Sequence, residues 1–223
     1  MFPEIIESRR LRFEPRTTDY VDPLTAYEFC KEGAPGIDEV TRYVPWEPHP
    51  HPKETLDFLE RGRKKWDDRE EAGYVIRLRT PEAEDDDVGD IVGFTGANLD
   101  WKKRTATLGL WVRPQYWGRG YSGERAIALA SLAFDRLDLD LLSVTHQVDN
   151  EQSERAITKY VERMGGRREG TLRNIGTGRD GPVDEVRYSV SQEEWNTAAL
   201  DPDVTFHDDA DDADGATDPA EAP

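Results

Sequence analysis

The chain has 223 residues, a length for one domain of ordinary size, and 34% of it is charged against 36% hydrophobic. Its 47 acids outnumber 29 bases, for a net charge of −18, and a surface that negative repels phosphate backbones, which argues against general nucleic-acid binding. No run approaches the roughly 18 apolar residues of a membrane span, the start lacks a signal-peptide pattern, and the lone Cys30 excludes a disulfide framework and a cysteine-rich zinc site. These readings predict a cytoplasmic protein with no metal.

In chain order, Ser8–Phe13 alternates at period two and predicts a first strand. Residues 18–30 and 52–67 are predicted helices, the second with Pro52 in its first turn and Leu56, Leu59, Arg63 and Trp66 on one face. A Pro- and aromatic-rich loop, Tyr43-Val44-Pro45-Trp46 through His49-Pro50-His51, lies between them. Trp46 is either a core aromatic or part of a substrate wall, and His49 and His51 lack an evident third metal ligand. Strands are expected at Tyr74–Leu78, Ile91–Thr95 and Thr107–Val112, the first two joined by a solvated acidic loop at 81–87.

Beyond residue 120 the order becomes helix (122–137), strand (141–148), helix (151–164, stopped at Gly165-Gly166) and a closing pair of strands (170–174, 183–190). Ser191 with Glu194 is a capping-box pattern for a short last helix. An antiparallel meander feeding a β-α-β-α unit predicts an α/β (α+β) fold with a mixed sheet over residues 1–200. Residues 201–223 hold nine acids and no Lys or Arg, leaving residues 1–200 at −9, and are expected to be a disordered acidic tail. Only 7 of the 29 bases are Lys, a balance that suggests adaptation to high salt.

The richest stretch is Leu110 to Gly123, where a strand runs into a glycine turn that opens a helix. Unpaired N–H groups and the helix dipole favour an anion there, and glycine lets a phosphate approach the main chain. Residues 101–125 carry six bases (Lys102, Lys103, Arg104, Arg113, Arg119, Arg125) and one acid, Glu124, a basic island in an acidic chain. Gly118-x-Gly120-x-x-Gly123 matches dinucleotide-binding spacing, but five residues separate it from the strand and too little chain follows for a doubly wound sheet.

Gln115-x-x-Gly118-x-Gly120 resembles the acetyl-CoA motif of the GNAT N-acetyltransferases. Arg9–Pro15, Val44-Pro45-Trp46, Leu110-Trp111-Val112-x-Pro114-x-Tyr116-Trp117-Gly118-x-Gly120-Tyr121, Asn150-x-x-Ser153, Asp184-x-x-x-Tyr188 and Glu194-Trp195 together resemble its RimJ/RimL-type branch, the ribosomal-protein N-terminal acetyltransferases, over about residues 8–195. The resemblance implies a GNAT-like sheet with a β-α-β-α acetyl-CoA core, acetyl-CoA as co-substrate, and an amine acceptor, foremost a protein N-terminus. Small amines and a non-catalytic CoA-binding role stay open, as do monomer and homodimer. It further implies that Leu110, Trp111 and Val112 pair with the pantetheine arm. Backbone N–H groups of Trp117, Gly118, Arg119, Gly120, Tyr121 and Ser122 would hold the diphosphate, with Gln115 in the motif. Asn150 and Ser153 would lie near the sulfur, and a main-chain N–H at Trp111 or Val112 would serve the oxyanion. Ser153 is the family-derived proton source for the thiolate. Tyr160 is a second candidate, one place away from the usual tyrosine position. Among the candidate bases Asn98, Asp100, His146 and Asp184, only His146 titrates near neutrality unperturbed.

Overall fold

A computed structural model of the chain describes residues 1–209. Its strands are β1 (Ile5–Glu7), β2 (Leu11–Pro15), β3 (Glu71–Leu78), β4 (Ile91–Asp100), β5 (Thr105–Val112), β6 (Leu141–Gln147), β7 (Arg167–Gly178), β8 (Gly181–Ser191) and β9 (Thr205–His207). The helices are α1 (Pro23–Cys30), α2 (Ile37–Thr41), α3 (Pro52–Asp67), α4 (Tyr121–Ser131), α5 (Glu151–Arg163) and α6 (Gln192–Ala198). All described strands join one sheet in the order β7-β8-β6-β5-β4-β3-β2-β1-β9. Every pairing is antiparallel except β5 with β6.

Helix boundaries follow local chemistry. The first helix starts at Pro23 rather than residue 18, because the Asp22 side chain accepts from Thr25 N–H at 2.8 Å and caps it. The helix expected over 122–137 is α-helical to Ser131 and continues as a π-helical turn, Leu132–Arg136. Gly165 at φ +79° ends α5, and Ser191 with Glu194 forms the capping box of α6.

The sheet divides two apolar layers by strand alternation. On one face Leu108, Leu142, Val144, Val186 and Tyr188 pack with α4 and α5. On the other Val75 and Phe94 meet Leu59 of α3 and Ala26 of α1. The α3 layer rests on a half-buried cation. Arg16 lies between Gly62 and Gly73, whose missing Cβ atoms would stand 3.0 Å from its Nε and 3.3 Å from its Cζ. It also bonds Glu71 at 3.1 Å and stacks over Phe58 at 4.6 Å.

Two strands were not foreseen. Ile5–Glu7 is too short to show a period, and Thr205–His207 lies in the stretch expected to be disordered. His207, Phe206 and Thr205 pair with Ile5, Ile6 and Glu7. Val204 and Phe206 pack on the core, and Asp208 pairs with Arg136. An open edge at β1 supplies hydrogen bonds that composition does not reveal. The disordered-tail expectation is thus wrong for its first residues, and its remainder, 210–223, lies outside the described residues.

Candidate active site

A cleft crosses the molecule where β5 and β6 part. They are paired from Thr105–Leu141 to Leu108–Val144 and not beyond. Past that point β5 continues beside β4 while the gap towards β6 opens. Arg113 N–H donates to Val92 O at 2.9 Å, which sets the alternation of main-chain groups along β5. Gly109 and Trp111 therefore bond with β4, and Leu110 and Val112 turn their main chain to the gap. The expectation that Trp111 N–H serves the site is corrected by this register; its side chain, not its backbone, faces the cleft. The Val112 carbonyl accepts from Trp117 Nε1 at 2.7 Å, so the groups left for an extended ligand are those of Leu110 and the Val112 N–H.

At the top of β5 the chain turns through a short 3₁₀ segment, Pro114–Tyr116, into α4. Gly118 and Gly120 have φ of +76° and +80°, a left-handed geometry that suits glycine. Gly120 is the N-cap and offers no side-chain cap, so the first N–H groups of α4 are left for something else. A Cβ at Gly118 would meet nothing within 4 Å, and one at Gly120 only Arg10 Nη2 at 3.6 Å. The space an anion needs is there. Trp117 N–H is spent on Pro114 O at 3.0 Å, which removes it from the predicted diphosphate donors.

Gln115 and Arg119, both expected at the cofactor, point their side chains elsewhere. Gln115 is exposed and accepts from Arg113 Nη2 at 3.2 Å, and Arg119 pairs with Asp86 at 2.7 Å. Most of the basic island is spent in the same way. Lys103 pairs with Asp100, Arg104 with Asp138 and Asp140, and Arg113 stacks 3.9 Å over Phe29 while donating to Ile91 O. The acidic loop expected to be merely solvated braces the glycine turn. Glu82 and Glu124 both grip Arg10, at 2.9 and 2.6 Å, and Arg10 Nη1 donates to Arg119 O at 3.0 Å. The hydrogen bond from Arg10 is the largest cause holding the Glu82 carboxyl below its ordinary pKa. Nothing in the spacing of residues 10, 82 and 124 announces this network; only the fold brings them together.

The α5 start lies across the gap. Asn150 Oδ1 accepts from Ser153 N–H at 3.0 Å and caps the helix. Both residues line the cleft, and the Ser153 hydroxyl has no hydrogen-bond partner among the described residues. Tyr160 lies seven residues on, about 10 Å along the helix axis, and lines the same cleft. It is 3% exposed, packed between α4 and α5, and burial pushes its pKa up.

His146 is 5% exposed and lines the cleft, with its ring 5.7 Å from that of Tyr188. Its Nδ1 is 2.8 Å from Gln147 O, and a carbonyl only accepts, so Nδ1 donates there. Nε2 has no partner among the described residues. The other candidates do not line the cleft: Asn98 is exposed, Asp100 accepts from Lys103, and Asp184 accepts from Asn174 N–H at 3.0 Å.

Beyond β5 the cleft meets an aromatic wall. Trp46 packs on Trp111 at 5.7 Å, Trp111 on Phe94 at 5.3 Å, and Phe94 on Phe58 at 5.6 Å. Trp46 is thus a cleft residue, and His49 is fixed beside it by Thr55 at 2.8 Å. On the same sheet face Gly73, Gly96 and Gly109 stand side by side on β3, β4 and β5. The Glu71 carboxylate occupies the place of a Cβ at Gly96, 2.4 Å from the ideal position, and above Gly109 nothing lies within 4 Å. Cys30 is buried, which pushes its thiol up to about 12 and removes it as a nucleophile. No group of three His, Cys, Asp or Glu side chains is placed to hold a metal among the described residues. No described helix is long and apolar enough to cross a membrane.

This geometry has known counterparts. The family profile for the acetyltransferase (GNAT) domain matches residues 10–160. The uncharacterized N-acetyltransferase YoaA of Bacillus subtilis (strain 168) is 27% identical over 191 residues, covering 85% of this chain and 97% of YoaA. The ribosomal L7/L12 alpha-N-protein acetyltransferase RimL shares the fold at a TM-score of 0.68 and 16% identity, covering 85% of this chain and 94% of RimL. The microcin C7 self-immunity acetyltransferase MccE, solved with acetyl-CoA and AMP, does so at 0.68 and 16%, covering 82% and 93%.

Proposed function

The chain belongs to the GNAT acetyltransferase family and is an acetyl-CoA-dependent N-acetyltransferase, and from that premise we propose that its acceptor is the N-terminal amine of a protein or peptide. The observation that carries this reading is the cleft itself. It passes from the glycine turn through the gap between β5 and β6 to an aromatic wall, where an apolar first side chain can be buried beside the reacting amine. Glu39 and Glu185 line the cleft and favour an ammonium's approach. The alpha-N-protein activity in RimL's name, on the same fold, points the same way.

Acetyl-CoA, when bound, supplies an acetyl group activated as a thioester. Gly118, Gly120, Tyr121 and Ser122 hold its phosphates through main-chain N–H groups. Leu110 aligns its extended arm as an added strand edge would. His146 Nε2 takes the proton from the acceptor ammonium, because an amine attacks only when neutral. The Val112 N–H stabilises charge on the carbonyl oxygen, and the Ser153 hydroxyl donates to the departing sulfur. Tyr160 takes no part in this scheme; its ring belongs to the α4–α5 contact.

CoA release measured against a panel of amines tests the acceptor. Peptides with free N-termini are expected to turn over, and the same peptides with blocked N-termini are not. Turnover of polyamines or aminoglycosides with all peptides silent would replace the peptide reading by the small-amine one.

A further inference from the structure

The fully buried cation of the cleft has no counter-ion among the described residues. Arg125, the fifth residue of α4, is 2% exposed, and neither its Nε nor its Nη1 has a partner among the described residues. The neighbouring carboxylate, Glu124, is turned away and saturated by Ser8 Oγ at 2.7 Å, Arg10 N–H at 2.7 Å and Arg10 Nε at 2.6 Å. What Arg125 meets instead is the uncharged Tyr160, with the guanidinium carbon 6.0 Å from its ring centroid and a side-chain hydrogen bond to its hydroxyl. Its neighbours Arg10 and Arg119 are both compensated by acids. A guanidinium does not shed its proton in a protein, so the charge is buried uncompensated.

Position says what could compensate it. Helical side chains slant towards the N-terminus of their helix, so Arg125, one turn inside α4, projects back to the end where the glycine turn lies. The residue lines the same cleft as Gly118, Gly120 and Ser122. Two independent features thus favour negative charge at one place, the uncapped helix start and an unpaired buried cation.

We propose that Arg125 is the buried counter-charge for the diphosphate of coenzyme A, a second anchor beneath the main-chain cradle. The proposal rests on the reading that this cleft takes acetyl-CoA. It makes a two-sided demand on the protein. The free protein carries a charge that burial penalises, and binding the coenzyme relieves that penalty, so Arg125 weakens the free state while strengthening the complex.

Arg125→Met tests both sides, with thermal melts of the free protein and calorimetric titrations of CoA, dephospho-CoA and pantetheine. The expected result is a variant that melts at or above wild type when free and binds CoA about tenfold or more weakly, about 1.4 kcal/mol per factor of ten. Dephospho-CoA should lose the same factor and pantetheine none, and Arg125→Lys should recover part of the loss. A free variant that melts lower and binds CoA as wild type does would make Arg125 a structural strut over Tyr160 and overturn the proposal. So would a loss seen with CoA but absent with dephospho-CoA, which would assign the charge to the 3′-phosphate. Failure of the wild-type protein to bind CoA at all would instead strike the reading of the cleft, and this proposal with it.

Discussion

The two halves of the cleft are built in opposite ways. The coenzyme half is made of main chain: two glycines in left-handed geometry, an uncapped helix start and a strand edge released where β6 diverges. The acceptor half is made of side chains brought from separate elements, Trp46 from a loop, Phe58 from α3, Phe94 from β4 and Trp111 from β5. Strand β5 divides them, since Leu110 packs with the α4 layer and Trp111, the next residue, with the α3 layer. A ligand common to many enzymes can be held by backbone, whose geometry tolerates sequence drift. A particular acceptor needs side chains.

That contrast can be broken at several points. Gly120→Val strikes the coenzyme half hardest. Its Cβ enters the open anion space and its branched side chain opposes φ +80°, so CoA binding should vanish in calorimetry while the melt shows a destabilisation of about 1–2 kcal/mol. Undiminished CoA affinity would move the phosphates off this turn.

His146→Gln should lower kcat/KM about 100-fold or more, with CoA binding intact. Turnover within twofold of wild type would mean that another group takes the amine's proton.

Ser153→Ala should lower kcat about 10–100-fold with KM for acetyl-CoA little changed, because a bond to developing thiolate charge acts in the transition state. Asn150, not the Ser153 hydroxyl, caps α5, so the melting temperature should hold. A rate within twofold of wild type would clear Ser153 of any catalytic part.

Trp46→Ala sharpens the division between halves. Losing its contact with Trp111 should raise KM for the acceptor about tenfold, roughly 1.4 kcal/mol, and leave KM for acetyl-CoA alone. Equal effects on both constants would mean the halves are not separable.

The smallest effect concerns the brace behind the glycine turn. Glu82 has its pKa depressed by Arg10, so the stability it adds is full above the ordinary carboxylate pKa and is lost as pH falls through the depressed value. The small difference in Tm between wild type and Glu82→Gln at pH 7 should therefore close in acid. A difference that persists unchanged at pH 2 would show that charge is not what Glu82 contributes.

Strand alternation, the Ser191–Glu194 capping box, the stop at Gly165 and the glycine turn before α4 were all legible because each is a local rule, settled within a few residues by sterics or a short hydrogen bond. The same locality let Gly118 and Gly120 point to a phosphate cradle. What the tertiary structure alone decided is where charge and edges find partners across the sheet. The basic island looked like the anion's partner, yet Arg104 and Arg119 are neutralised by acids distant in sequence, Lys103 by Asp100, and its one fully buried member, Arg125, has no acid partner among the described residues. Trp111 was placed by its position on β5, but the register with β4 assigns the free main chain to Leu110 and Val112. Residues 205–207 are acidic in context and short, and they form a strand because β1 offers an open edge. Ion pairs, register and edge pairing depend on through-space neighbours tens of residues away, and a single sequence does not carry that distance.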